Sequence, residues 1–220
     1  MDSIERNRQR IMQKLGPTQL VVVSKYRSLN EIQQTYDAGQ RVFAENRVQA
    51  LMERYSLLPP DIQWHLIGHL QTNKVKYIAP FIAMIHSVDS LKLLQEIDRQ
   101  AEKNNRIIPC LLQIYVATED TKFGLDENEL HLLLQNGDWK NLSHVRICGI
   151  MAMASLTEDK VQIHQEFENA HRIFLNSKSR YFQNDENFRE LSIGMSSDYE
   201  IALEHGSTMV RIGSKIFESD

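Results

Sequence analysis

The sequence contains few of the residues that mark several protein classes. Only two of its 220 residues are cysteine, and Cys110 and Cys148 form neither a CxxC motif nor a disulfide framework. Nine glycines and five prolines exclude collagen-like and low-complexity chains. The longest uninterrupted apolar run, residues 78–85, contains Pro80 and is too short to span a bilayer. We therefore expect a soluble protein of a reducing compartment, the cytoplasm.

The sequence also has no large excess of positive or negative charge. Lysine and arginine number 25 and aspartate and glutamate 29, for a net charge of −4, which gives no reason to expect nucleic acid as a partner. The charged N-terminus does not resemble a signal peptide. Apolar residues make up 42% and charged residues 25%, as in ordinary globular proteins. We expect one domain over residues 1–220, with no membrane partner.

Eight short apolar runs recur along the chain, and helical patterns separate them. The runs cover residues 20–24, 42–44, 64–68, 84–88, 110–116, 145–151, 191–194 and 209–213. Most are apolar at nearly every position, which is typical of strands buried on both faces of a parallel sheet. The helical patterns cover residues 29–38, 46–57, 71–79, 91–103, 127–134, 161–175 and 198–204.

This alternation of strands and helices predicts a single-domain (β/α)8 TIM barrel. No helical pattern follows the eighth run, so we expect an N-terminal helix over residues 3–15 to take that place in the outer ring. An open, doubly wound sheet is the alternative architecture.

Functional residues of a TIM barrel lie at the carboxyl ends of its strands. The residues with useful chemistry that follow the predicted strands are Lys25, Glu45, Asn46, His69, Gln71, Ser87, Asp89, residues 151–154, Gly194, Met195, Ser196, Ser197, Gly213 and Ser214.

Lys25 follows three valines at the end of the first strand. Partial desolvation at the mouth of an apolar strand favours the neutral amine, and a neutral amine can attack a carbonyl to form a Schiff base. The alternative is a structural lysine that extends into solvent or pairs with a carboxylate such as Glu45.

Two turns that contain glycine and serine follow the seventh and eighth strands. Residues 194–198 read GMSSD and precede a helix, so backbone N–H groups, hydroxyls and the helix N-terminus can bind an anion. The structural alternative is a capping box formed by Ser197 and Glu200. The second turn is formed by Gly213 and Ser214. Because barrels often hold phosphate between the loops after strands 7 and 8, the two turns together indicate a phosphate site.

Arg211 lies within the apolar eighth strand, where a permanently charged group needs a partner. That partner is either a buried carboxylate or a bound ligand.

Two other features of the sequence do not predict a functional site. His65 and His69 are expected to straddle a strand end, so we predict no metal site. Met151 and Met153 are expected in the core.

Six motifs resemble, in order, those of one family: VVVSK, FAENRVQ, WHLIGHLQTNK, GIMAM, LSIGMSSDYEIALEHGSTMVRIG and SKIF. The family is that of the pyridoxal phosphate homeostasis proteins, single-domain relatives of the alanine racemase N-terminal barrel. The resemblance runs from about residue 20 to residue 217. It implies a (β/α)8 barrel that holds pyridoxal 5′-phosphate (PLP) as a Schiff base on the lysine of the VSK motif, Lys25.

The resemblance also implies the other residues that bind the cofactor, which are Asn46, Met195, Ser196, Arg211, Gly213 and Ser214. Ser196 and the turn at Gly213 and Ser214 are implied to contact the phosphate. Arg211 is implied to face the pyridine nitrogen.

The function implied by the resemblance is intracellular PLP homeostasis, in which the protein buffers PLP and delivers it without substantial turnover. PLP-dependent apo-enzymes are then candidate partners, and we expect a monomer or a weak dimer. An amino-acid racemase is the alternative. It needs a second acid or base, which alanine racemases take from a further domain and its dimer partner. We expect this chain to lack that domain and to have no catalytic residue. The position of Lys25, together with the GMSSD and RIGS motifs, disfavours an aldolase-like lyase.

Overall fold

The computed structural model describes residues 3–117 and 123–218. Eight parallel strands pair in chain order and close into a barrel, which confirms the predicted (β/α)8 fold and excludes the open sheet. The first and last strands close it, with Gln19 opposite Met209 and Val22 opposite Ile212. The strands are β1 Gln19–Val23, β2 Val42–Glu45, β3 Gln63–Leu66, β4 Met84–Val88, β5 Ile108–Gln113, β6 Val145–Met151, β7 Glu190–Met195 and β8 Met209–Ile212.

Helices surround the barrel. They are α1 Ser3–Leu15, α2 Leu29–Asp37, α3 Val48–Leu57, α4 Val75–Ile78, α5 Leu91–Lys103, α6 Glu127–Asn136, α7 Lys160–Tyr181, α8 Tyr199–Glu204 and α9 Ser214–Phe217. As predicted, the N-terminal helix α1 lies in the outer ring, where it contacts β1, α2 and α9. None of the helices formed by the described residues has the length and apolar character needed to cross a bilayer.

Side chains of β1 show why the strands are almost continuously apolar. Leu20 and Val22 belong to the large buried cluster between the sheet and the helices. Val21 points the other way and belongs to a smaller apolar cluster with Leu111 and Met151. Because successive side chains of a strand face opposite sides of the sheet, the second cluster lies inside the barrel. Both faces of the sheet are therefore buried, as the apolar runs predict.

The helices differ from the predicted patterns mainly at their ends. Capping side chains fix the first residue of several helices. At α2, for example, Ser28 and Glu31 form a capping box. The predicted helix over residues 71–79 is instead a short 3-10 turn followed by the one-turn helix α4, and Pro80 offers no N–H to extend it. The predicted helix over residues 161–175 is longer and reaches Tyr181. The short helix α9, after β8, was not predicted.

Candidate functional site

A cavity of about 820 Å³ opens at the carboxyl ends of the strands. Its volume is in the range of small-molecule and cofactor sites. The seven residues predicted to bind a cofactor all line it: Lys25, Asn46, Met195, Ser196, Arg211, Gly213 and Ser214. The structure thus brings these residues together, and their role in binding stays a prediction.

The loops after β7 and β8 meet at one side of this cavity. The backbone N–H of Gly213 donates a hydrogen bond to Ser196 Oγ at 3.1 Å. Ser196 is half-buried and Ser214 is exposed toward the cavity opening. Hydroxyl and backbone N–H groups are therefore concentrated in this corner, which suits a phosphate group.

The turn after β7 is held by glycine and by a buried carboxylate. Gly194 has a φ of +94°, and a Cβ there would lie 2.6 Å from the Ala202 Cβ, so only glycine fits. Asp198 Oδ1 accepts a hydrogen bond from the Met195 N–H at 2.6 Å. Burial raises the pKa of Asp198, while the Met195 N–H and the charge of Arg211 act in the opposite direction.

The alternative that Ser197 and Glu200 form a capping box is wrong. Helix α8 begins at Tyr199, its N-cap is Asp198, and no side chain caps it. Glu200 instead pairs with Lys14 of α1, with 2.6 Å between Oε1 and Nζ. Ser197 is exposed at the cavity.

Arg211 is almost fully buried at the base of the cavity. Its Nη1 donates to the Ser192 carbonyl at 2.7 Å and to Ser192 Oγ at 2.6 Å, and its Nη2 donates to the Ala152 carbonyl at 2.9 Å. These bonds use three of the five N–H donors of a guanidinium. Burial lowers the pKa of Arg211 to about 10, so the side chain is charged at neutral pH. The charge of Asp198 acts against this shift, and among the described residues no carboxylate lies within ion-pair distance of the guanidinium.

A chain of buried polar groups continues from Arg211 across the barrel interior. Ser192 Oγ lies 3.1 Å from His86 Nδ1, and His86 Nε2 lies 2.9 Å from His65 Nδ1. Because a guanidinium cannot accept, Ser192 Oγ accepts from Arg211, whereas the tautomers of the two histidines decide which group donates in the Ser192–His86 and His86–His65 hydrogen bonds. Burial lowers the pKa of His65 to about 3 and that of His86 well below its usual range. Both imidazoles are therefore neutral at physiological pH.

Lys25 follows β1 in an exposed turn, so its expected partial desolvation is not observed. The alternative that it pairs with Glu45 is wrong, because Glu45 is buried and forms an ion pair with Arg54 of α3. Across residues 3–117 and 123–218 no carboxylate pairs with Lys25. The amine is thus available to a ligand in the cavity.

Asn46 lies beside the end of β3, where the chain packs closely. A Cβ on Gly68 would lie 2.1 Å from the Asn46 carbonyl oxygen, so this approach requires glycine. Ser87 Oγ donates to the Gly68 carbonyl at 2.6 Å. Ser87 therefore does not line the cavity itself but holds Gly68, which does.

Several lining residues were not singled out from the sequence: Tyr26, Arg27, Ile67, Gln113, Phe123, Lys215 and Glu218. Gln113 was missed because the fifth strand ends at that residue and not at residue 116. Met153 was expected in the core but is 37% exposed at the cavity, whereas Met151 is buried as expected. His69 lines the cavity as well, with its Nδ1 3.5 Å from Asp89 Oδ2.

Comparison with known proteins places the chain in a family. The sequence model of the family described as alanine racemase, N-terminal domain, matches residues 1–219. A pyridoxal phosphate homeostasis protein of Aquifex aeolicus is 35% identical over 187 residues, covering 84% of this chain and 80% of the relative. The protein of the same name from Synechocystis sp. is 35% identical over 213 residues, covering 94% of each chain. This chain belongs to the alanine racemase N-terminal domain family and, within it, to the pyridoxal phosphate homeostasis proteins.

Solved structures agree with this assignment. PipY of Synechococcus elongatus PCC7942 has been solved with PLP bound; it is 32% identical, has a TM-score of 0.88 and covers 98% of this chain and 100% of its own. The same protein without PLP has a TM-score of 0.91 at 33% identity, with the same coverage. An alanine racemase of Bartonella henselae shares the fold, with a TM-score of 0.76 at 16% identity; the match covers 99% of this chain and 59% of the racemase.

Proposed function

We propose that this protein binds PLP in the cavity at the carboxyl end of its barrel and serves intracellular PLP homeostasis. In this role it buffers and delivers the cofactor and does not turn over substrate. The observation that carries the proposal is the set of groups in one cavity: a lysine amine that pairs with no carboxylate among the described residues, a buried arginine and two joined serine-containing loops. The PLP-bound relative PipY supports it.

Each part of the cofactor has matching groups in this cavity. The hydroxyls of Ser196 and Ser214 and the loop at Gly213 suit the phosphate, and Arg211 suits an acceptor such as the pyridine nitrogen. When bound, PLP supplies an aldehyde that reacts with amines and a ring that can withdraw electrons. The Lys25 nitrogen would bond to the aldehyde carbon, and the aldehyde oxygen would leave as water. Asn46 and Met195 line the cavity beside these groups.

The lack of turnover follows from Arg211. A guanidinium donates hydrogen bonds and cannot accept one, so Arg211 stabilises an unprotonated ring nitrogen. A carboxylate in that position would hold a proton on the nitrogen and strengthen electron withdrawal by the ring. The three hydrogen bonds of Arg211 to Ser192 and Ala152 fix the guanidinium, so it cannot readily make way for another group.

An amino-acid racemase is the second candidate function. His69 lines the cavity and lies near Asp89, and an imidazole beside a carboxylate can serve as an acid or base. Measurement of proton exchange at the α-carbon of amino acids distinguishes this function from the first.

We further propose that PLP-dependent apo-enzymes are the partners, that residues 1–220 act as one domain, and that the protein works in the cytoplasm as a monomer or a weak dimer.

The direct test of cofactor binding is retention of PLP after gel filtration. We expect about one PLP per chain and a yellow protein. Retention no greater than that of an unrelated protein with exposed lysines contradicts the proposal.

A further inference from the structure

The turn that carries Lys25 contains an unfavourable backbone conformation. The Arg27 N–H donates to the Ser24 carbonyl at 3.0 Å, which closes a four-residue turn with Lys25 and Tyr26 at its centre. Tyr26 has a φ of +66°. A positive φ at the third position is typical of a type II turn, where glycine or asparagine is normally found. A tyrosine adopts this conformation only where surrounding contacts enforce it.

The enforcing contacts are not made by the Tyr26 side chain, which is 80% exposed. Arg54 on α3 contacts the backbone at both ends of the turn. Its Nη1 donates to the Ser24 carbonyl at 2.6 Å, and its Nη2 donates to the Arg27 carbonyl at 3.0 Å. One planar guanidinium thus holds both ends of the turn, a geometry that a single ammonium group cannot reproduce.

Glu45 holds Arg54 in this position. Its carboxylate is 1% exposed, forms an ion pair with Arg54 Nη1 and accepts a hydrogen bond from Ser24 Oγ at 2.5 Å. The Arg54 side chain is 11% exposed. A buried carboxylate without this partner would be strongly destabilising, so the two charges fix each other. Glu45 therefore anchors both the guanidinium and the first residue of the turn.

We propose that Arg54, held by Glu45, is a positioning residue that fixes the left-handed turn and thereby directs the Lys25 amine into the cavity. This inference rests on the proposed function, in which Lys25 bonds to PLP. A merely structural role for Arg54 would weaken all ligand contacts together. A positioning role affects the bond at Lys25 and spares the phosphate corner, which is built by the loops after β7 and β8.

The test compares two ligands in Arg54→Gln. Pyridoxine 5′-phosphate has no aldehyde and reports binding of ring and phosphate alone, whereas borohydride fixes PLP that is bonded to a lysine. We expect the rate of Schiff base formation at Lys25 to fall about tenfold or more, because a misplacement of about 1 Å can cost a hundredfold. The affinity for pyridoxine 5′-phosphate should change by less than about twofold.

Three further substitutions complete the experiment. Arg41→Gln is the matched control, since Arg41 is a half-exposed arginine that pairs with Asp61, and it should behave as wild type. Arg54→Lys keeps a charge beside Glu45 and should show the same selective loss, which provides the comparison if Arg54→Gln does not fold. Tyr26→Gly added to either Arg54 variant should restore at least half of the lost rate, because glycine adopts the positive φ without strain.

Equal rates in the Arg54 and Arg41 variants would overturn the inference. The inference would also be wrong if the rate of Schiff base formation and the affinity for pyridoxine 5′-phosphate fell together in the Arg54 variants. It would be wrong as well if Tyr26→Gly did not restore the lost rate. If borohydride does not label Lys25 in the wild-type protein, the proposed function itself is wrong, and this result is distinct from the others.

Discussion

The Gly213 N–H donates a hydrogen bond to Ser196 Oγ at 3.1 Å and so joins the loop after β7 to the loop after β8. The two serine-containing turns that the sequence analysis assigned to one phosphate site thus share one corner of the cavity. This arrangement predicts that the phosphate group, rather than the ring, provides much of the binding free energy.

Substitution of Ser196 tests the phosphate corner. Hydrogen bonds to charged groups contribute ~1.5–3 kcal/mol, so Ser196→Ala should weaken PLP binding about tenfold or more. Ser214→Ala should do less, because the Ser196 hydroxyl and the backbone N–H of Ser214 remain. Equilibrium dialysis measures both effects. Pyridoxal, which lacks the phosphate, should bind poorly to the wild-type protein, and equal retention of pyridoxal and PLP would contradict this placement.

Ser192 is the buried link between Arg211 and His86. Ser192→Ala removes an acceptor from Arg211 and the hydrogen-bond partner of His86 Nδ1, and each unsatisfied buried group costs about 1–3 kcal/mol. We expect a loss of that order in the free energy of unfolding, measured in urea, and weaker PLP binding. Ser179→Ala, at an exposed position of α7, is the control and should leave stability within about 0.5 kcal/mol of wild type. Equal free energies of unfolding of Ser192→Ala and Ser179→Ala would show that the buried hydrogen bonds of Ser192 contribute nothing to stability.

Acid should destabilise the protein through His65 and His86. Burial holds the pKa of His65 at about 3, below its ordinary value of 6.5, so the unfolded chain binds more protons over this interval. The stabilising contribution is complete above pH 6.5 and is lost as the pH falls toward 3, at about 1.4 kcal/mol per pH unit for each such histidine. His86 acts in the same direction.

The measurement is the free energy of unfolding as a function of pH, for wild type and His65→Gln. The slope below pH 6 should decrease by about one bound proton in the variant. Exposed His131, which contacts the Tyr181 hydroxyl, provides the control substitution His131→Gln. If His65→Gln has the wild-type slope, His65 is not held neutral by the fold.

Fold and site were predictable to different extents. Strands buried on both faces are apolar at nearly every position, so all eight were located from the sequence, with ends that differ by a few residues. The seven candidate site residues follow from strand ends and from the family resemblance, and all line one cavity.

Contacts between distant polar residues were not predictable in this way. The hydrogen bonds that link Arg211, Ser192 and His86 depend on which side chains meet across the barrel. The sequence of amino acids in a single strand carries no such information. The same holds for Arg54, whose acceptors Ser24 and Arg27 are far from it in sequence. Glu45 was a candidate partner for Lys25 because it also follows a strand end, whereas its actual partner, Arg54, lies on helix α3.

The proposed absence of turnover is tested with amino acids in deuterated water. Arg211 cannot accept the proton of a protonated ring nitrogen, so we expect neither racemisation nor deuterium incorporation at the α-carbon of L-alanine or L-serine. Arg211→Gln should lower the affinity for PLP without producing activity. Exchange at rates typical of enzymes, ~1 s⁻¹ or above, would contradict the account and favour a racemase. His69→Gln would then show whether His69 is the acid or base.

The central claim, that Lys25 bonds to PLP, is tested most directly by borohydride reduction of the PLP-loaded protein followed by peptide mapping. We predict that the label lies on Lys25, that Lys25→Ala loses it, and that Lys215→Ala, which removes another lysine lining the cavity, retains it. Label on Lys215 or another lysine, or undiminished labelling of Lys25→Ala, would contradict the account.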